Sequence, residues 1–251
     1  VTIRRHPVPA HHLDASREPP CEAPPPEAGR VQRAPHPLWS IAFLLVVAQA
    51  LLWGGARAGQ VERGVAYAAA LVCLGGALHF LERVEPRHLA AKLGWRRPAA
   101  PWLGLAVLAA LPAAWTAVPG VRSPAAFVVA LVAAAWQESF CRGWALQALM
   151  RRHGFAASAA GAALASASFA AVTAHAAAGA PVAALVAVEL PLSLGLAQCA
   201  WLSQSIVPGA VLRAALVLAA GAGWWPAAAA AALLWAGSTW LAQRRRPAPP
   251  A

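Results

Sequence analysis

The sequence predicts an all-α polytopic membrane bundle of about eight transmembrane helices, with a four-helix functional core in spans four to seven. Three observations carry this reading. Of 251 residues, 60% are apolar and only 12% charged, with mean hydropathy +0.56; a soluble domain carries roughly a quarter charged residues. The apolar residues come in runs, among them Ile41–Gly54, Gly64–Leu81, Phe127–Trp136, Gly154–Val172 and Ala227–Ala236, and about 20 apolar residues cross a bilayer as a helix. The basic residues, finally, are segregated between alternate connecting segments. Composition of this kind excludes a solvated globular domain, a disordered protein and a coiled coil.

Residues 1–37 hold nine of the 22 prolines and too little apolar surface to order themselves, so they read as a disordered cytoplasmic tail. His6, His11 and His12 lie in that tail with no fixed geometry around them and read as incidental polar residues. Spans follow at 38–55, 63–81 and 101–119. Their interiors are almost free of ionisable groups, so region 38–123 serves packing and topology. Region 124–220 contains the spans 124–150, 157–177, 181–202 and 205–220, and these carry the unusual residues. A last span at 224–242, within region 221–243, precedes a basic Pro-rich tail, 244–251. Trp39, Trp53, Trp102, Trp224 and Trp240 fall near span ends, where an amphipathic ring favours the membrane interface. Abundant Ala, Gly and Ser fit close helix packing in lipid.

With both termini inside, 15 of the 20 basic residues fall on the inner side. Only Arg57, Arg63 and Arg122 fall outside, and Arg142 and Arg213 lie within spans. This asymmetry predicts cytoplasmic termini. It also explains the net charge of +11 without nucleic acid, since no basic and aromatic residues interleave as a base-binding surface requires. The expected partner is the lipid bilayer. Cys21, Cys73, Cys141 and Cys199 form no C-x-x-C pair, and the last three lie in apolar spans as packed thiols.

The functional signal is the set of ionisable groups inside spans: Glu138, Arg142, His175, Glu189 and Arg213. Each charge at mid-bilayer costs about 2.5–3.5 kcal/mol, so such groups pair or face the bundle interior. Glu138 and Arg142 are four apart and share a helix face. At 1.5 Å per residue, Glu138 lies about 20 Å and Glu189 about 21 Å from the inner ends of their spans, Arg142 about 14 Å and Arg213 about 12 Å. Four charges that sum to zero at matched depths predict one buried cluster.

Gln137-Glu138-Ser139-Phe140-Cys141-Arg142-Gly143, followed by Arg151-Arg152, resembles the E-E-x-x-F-R-G motif of the CPBP intramembrane proteases, which include the CAAX prenyl endopeptidases and bacteriocin-processing or immunity proteins. Gly195 to Arg213, centred on Ser205-Ile206-Val207-Pro208, resembles that family's G-x-x-x-G…S-L-W-P-x-I-x-x-H block. The resemblance spans roughly residues 124–220. It implies an intramembrane endopeptidase acting on membrane-associated proteins or peptides in a bacterial inner (plasma) membrane, with a divalent metal such as zinc as a candidate cofactor. The catalytic motifs are degenerate. The family's first Glu falls on Gln137, which cannot accept a proton as a general base. Its later His falls on Arg213 and its Asn on Val217; arginine can stabilise an oxyanion but cannot ligate a metal as neutral imidazole does. Its middle F-x-x-x-H matches Phe169 with Thr173, or Ala171 with His175.

Two catalytic readings follow. In one, the chain keeps the family's cavity and has lost its chemistry, with Arg213 reaching Glu189 across a depth gap of about 9 Å. In the other, Glu138 acts as base, His175 as its partner and Arg213 as the electrophilic group, and Arg142 counts with them among the candidate catalytic residues. The motif departures favour the first. A scaffold or immunity-type protein that binds a membrane partner is the non-enzymatic alternative. A small transporter is the third; Pro191 and Pro208 would interrupt its helices, but the two halves of the chain show no internal repeat.

Overall fold

The computed structural model describes residues 37–117, 124–178 and 182–244. The expected N-terminal tail up to residue 36, the C-terminal segment beyond Arg244, and Arg122 lie outside the described residues. Every regular element among the described residues is helical. In chain order these are α1 (Pro37–Ala58), α2 (Gln60–Glu82), a single turn at Pro86–His88 leading into α3 (Leu89–Lys92), α4 (Ala100–Ala117) and α5 (Pro124–Glu138). A π-helical segment, Ser139–Ala145, then runs into α6 (Leu146–Met150). There follow α7 (Phe155–Ala178), α8 (Val182–Ser203), α9 (Val207–Leu218) and α10 (Trp225–Arg244). Proline occupies one of the first two positions of α1, α5, α9 and α10. Its missing N–H has no partner to lose there, and its fixed φ already suits a helix.

Among the described residues, six helical stretches are long and apolar enough to cross a membrane: 38–58, 60–82, 100–117, 124–150, 155–176 and 182–203. The two remaining expected spans are helices of a different kind. α9 has only 12 residues, about 18 Å of rise against a hydrocarbon core of about 30 Å. α10 has 20 residues but stands outside the six, because its apolar content is mostly alanine and tryptophan, broken by Gly237-Ser238-Thr239. The prolines also act differently from expectation. Pro191 sits inside α8 without ending it, and Pro208 opens α9 instead of breaking a span.

The long helices and the short α9 pack as a closed circuit: α1 on α2, α2 on α5, α5 on α9, α9 on α4, α4 on α10, α10 on α8, α8 on α7, and α7 back on α1. Of the apolar cores that result, two are the largest. One gathers Leu44, Leu52, Leu74 and Leu78 of α1 and α2 around Trp136, Phe140, Trp144 and Phe169. The other gathers Trp102 of α4 with Leu192, Leu196, Leu212 and Leu234 of α8, α9 and α10. Within the first core, the Phe140 ring stands edge-on to Phe169 (centroids 5.3 Å apart) and to Trp144 (5.6 Å), the geometry aromatic quadrupoles prefer.

The exterior is apolar as well. Phe43, Val72, Phe80 and Trp115 project outward, Trp115 with 82% of its surface exposed. A soluble monomer does not tolerate contiguous apolar surface on this scale, whereas hydrocarbon solvates it while the helices satisfy their own backbone groups. Apolar helices of spanning length inside such an exterior are the features of a membrane protein. Burial is uneven: 17% of the apolar window of α1 is buried, against 56% for the 124–150 stretch. The helix that carries the family-like motif is therefore an interior one.

Candidate functional site

The charged residues of α5 and its π-helical extension, α8 and α9 meet inside the bundle. Glu138 closes the regular part of α5, and the seven residues after it are π-helical, a local widening often found at functional sites. The turn still allows Arg142 Nη1 to reach Glu138 Oε1 at 3.2 Å. From α9, Arg213 Nε lies 3.2 Å from the same oxygen, while its Nη2 lies 2.6 Å from Glu189 Oε1 of α8. One guanidinium thus bridges carboxylates from two helices. All four residues are at most 8% exposed.

Two serines complete the network. Ser166 of α7, fully buried, donates to Glu189 Oε1 (2.8 Å) and faces three donors, Gln137 Nε2, Arg142 Nη1 and Arg213 Nη2, at 2.8, 3.2 and 3.2 Å. Ser193, one turn after Glu189, also donates to Glu189 Oε1 (2.7 Å), and its carbonyl accepts from Arg142 Nη2 (3.2 Å). Four helices, α5 with its π-helical extension, α7, α8 and α9, therefore share one neutral hydrogen-bonded cluster. Charge-assisted bonds of this kind are roughly twice as strong as neutral ones, and burial makes each of them costly to leave unpaired. Within this cluster, Glu138 Oε2 and Arg142 Nε lack a hydrogen-bond partner. Glu138 Oε2 lies against Gly209, where a Cβ would come within 2.6 Å of it.

A connector holds the π-helical segment from below. Gly143 abuts the Leu93 carbonyl so closely that a Cβ would overlap it. Trp95 Nε1 donates to Ser139 Oγ at 2.9 Å, and Trp144 Nε1 donates to Glu82 Oε1 at 2.7 Å. The same connector meets the turn before α9: the Ile206 N–H donates to the Gly94 carbonyl at 3.0 Å, and the Ser205 hydroxyl donates to the Arg96 carbonyl. The start of α9, and with it Arg213, is thereby set relative to the helix that carries Glu138.

Of the residues expected at the site, Glu138, Arg142 and Arg213 come together with Glu189. His175 does not. It is exposed near the end of α7, with its ring 6.3 Å from that of Trp53 in α1. α7 instead contributes Ser166, nine residues earlier and about 13.5 Å along the axis. Thr173, the other match to the family histidine, is half-buried and donates to the Phe169 carbonyl of its own helix at 2.8 Å. Gln137 points its amide N–H groups at the Ser166 hydroxyl and, at 3.2 Å, the Ser166 carbonyl. A carbonyl only accepts, so a donor is what this position requires. Ser166 and Ser193 are the members that sequence reasoning missed. Only the spacing of Ser193, four residues after Glu189, hinted at a contact.

The residues present do not fit a divalent metal. Among the described residues no three of His, Cys, Asp and Glu gather as a ligand set. Arg213, inside the cluster, cannot serve as a ligand, because a guanidinium has no lone pair to give. No protein-family model, characterised protein or solved structure matches this chain. Fold and site define an all-helical, membrane-like bundle locked by a buried ion network.

Proposed function

We propose that this protein is a non-catalytic member of the CPBP intramembrane protease type, retained as a membrane scaffold that engages a membrane-associated protein or peptide. One observation carries the reading. Glu138, the carboxylate left in the family-like motif, gives one oxygen to both Arg142 and Arg213 at 3.2 Å. A general base must be within reach of the proton it takes and of a water to activate; Glu138 is fully buried and committed to two cations. Gln137, in the place of the family's first Glu, is likewise committed as a donor to Ser166. The cluster therefore supports a structural role for the groups that relatives of this type would use for chemistry.

The test compares protein termini by mass spectrometry in membranes with no copy of the chain, the native chain, Glu138→Ala, or Gln137→Glu. Identical termini in all four, with the chains folded and abundant, is the expected result. Cuts that appear with the native chain and vanish with Glu138→Ala would establish a protease with rearranged groups and end the scaffold reading. Gln137→Glu restores the family's carboxylate but aims an acceptor at the Ser166 carbonyl. It should therefore create no new cuts and should lower stability by about 1–3 kcal/mol, the cost of a buried polar group without its partner.

The same proposal puts the chain in a bacterial inner membrane with both termini cytoplasmic, the six long apolar stretches and α10 crossing the bilayer and the short α9 reaching into the bundle. The connectors 83–97 and 151–153 share one end, since Arg151 Nη2 approaches Glu82 Oε2 (3.7 Å). That end holds most of the described loop cations, as the positive-inside rule expects of a cytoplasmic face. Single cysteines placed at Arg97 and Arg152 should both label only from the cytoplasmic side. Labelling of either from outside would reverse this topology.

A further inference from the structure

A cavity of about 330 Å³ opens at the basic end of the bundle, between α6, the end of α8 and the two turns that meet at Gly94 and Ile206. Ligand pockets begin at about this size. Its lining is mixed in character. Arg96, Arg142, Arg151 and Gln147 line it together with Met150 and Trp201. Arg142, only 1% exposed, connects this cavity to the ion cluster and keeps its Nε–H without a hydrogen-bond partner. A buried guanidinium N–H is an unmet donor and favours an acceptor nearby.

The surroundings select the acceptor. Arg83, Arg87, Lys92, Arg96, Arg97, Arg151 and Arg152 crowd this end, against Glu82 and Glu85 alone in the same connectors. Glu82 is already shared by Lys92 (3.2 Å) and Arg151 (3.7 Å), and Glu85 by Arg87 (2.6 Å). Arg96 is exposed and makes no ion pair among the described residues. The field at the mouth is strongly positive. Trp201, 44% exposed and stacked against Phe155 with ring centroids 5.7 Å apart, gives the apolar part of the lining an outward face at the end of a spanning helix. Tryptophan favours the headgroup level of a bilayer, and basic pockets between helices on that side suit phosphate headgroups.

We infer that this cavity is a binding site for the phosphate of an anionic phospholipid, held by Arg96 and Arg151 at the mouth with the Arg142 N–H beneath, its first acyl carbons lying along Trp201 and Met150. Phosphate chemistry explains the three guanidiniums, which match its oxygens in geometry as well as charge. The apolar lining residues explain why the carrier is a lipid and not a soluble phosphate. The site goes beyond the scaffold reading and stands whether or not the chain cleaves peptides.

The full chain, purified in detergent, is to be titrated by native mass spectrometry with phosphatidylglycerol, with phosphatidylcholine and with inorganic phosphate. Arg96→Gln/Arg151→Gln removes the two exposed cations without touching the buried cluster, and Arg57→Gln, at the far end of α1, controls for loss of charge alone. Saturable binding of one phosphatidylglycerol in preference to phosphatidylcholine is expected. The double variant should weaken it at least about tenfold and Arg57→Gln should leave it unchanged. Equal retention of both lipids, or undiminished binding by the double variant, would overturn the site. Inorganic phosphate binding alone and displacing the lipid at equal concentration would overturn the lipid assignment.

Discussion

Arg213→Met is expected to be the most damaging single substitution in this protein, costing about 3–5 kcal/mol, the typical loss when one partner is removed from a buried ion pair. The side chain is nearly isosteric along its stem, so packing changes little. What changes is charge: Glu138 and Glu189 keep a single counter-ion, Arg142, and Glu189 loses its 2.6 Å partner. Two carboxylates would then be buried at a cost that helix packing does not offset. The control is Arg213→Met combined with Glu189→Gln, which leaves the neutral Glu138–Arg142 pair at 3.2 Å and should recover more than half of the loss. Arg213→Lys should fall between, because one ammonium cannot present Nε to Glu138 and Nη2 to Glu189 at once. Unfolding in SDS–detergent mixtures, followed by tryptophan fluorescence, measures each. An Arg213→Met chain within about 0.5 kcal/mol of the parent, the range of an ordinary surface substitution, would remove the case for a structural ion network.

Gly143→Ala is the second large effect, and it works through shape instead of charge. The added methyl has nowhere to go: it meets the backbone carbonyl of Leu93, not the movable end of a side chain. Overpacking of this sort costs typically about 1–3 kcal/mol. Here it also pushes the connector that carries Gly94, whose carbonyl holds the Ile206 N–H at 3.0 Å, so the start of α9 should shift with it. Gly76→Ala is the matched control, since a Cβ there meets nothing within 4 Å and should change stability by no more than a surface substitution does. If both variants unfold alike, the seating of the connector against the π-helical turn is not what positions Arg213.

The ion cluster was partly legible beforehand. Glu138 and Arg142 are four apart, and a charge inside an apolar run demands a partner. Matched depths grouped them with Glu189 and Arg213, although the depth count left Arg213 about 9 Å short of Glu189. Such counting follows backbone positions, whereas the guanidinium sits at the end of a long side chain, and in the structure it touches both carboxylates. Two hydroxyls went unseen because serine is common in small-residue helices and only helix rotation shows which of them points inward. For the same reason His175 drew attention by its chemistry and yet lies against Trp53, while Ser166, two and a half turns away, supplies the contact.

By itself, then, the sequence determined the class of molecule. Composition and run length made it an all-helical, membrane-like chain, and the rare charges named the helices that had to meet inside it. These are properties of single segments, set by the transfer of side chains and backbone out of water. Only the tertiary structure decided how the segments combine: the closed circuit that brings α5 against α9 and α7 against α8, the π-helical turn after Glu138, and the short α9 that rises only part of a membrane's thickness. It also decided that Glu138 serves two arginines and Gln137 one serine. Such pairings depend on the rotation and offset of packed helices, which no local pattern encodes. They arise because most buried donors and acceptors must find partners at the same time.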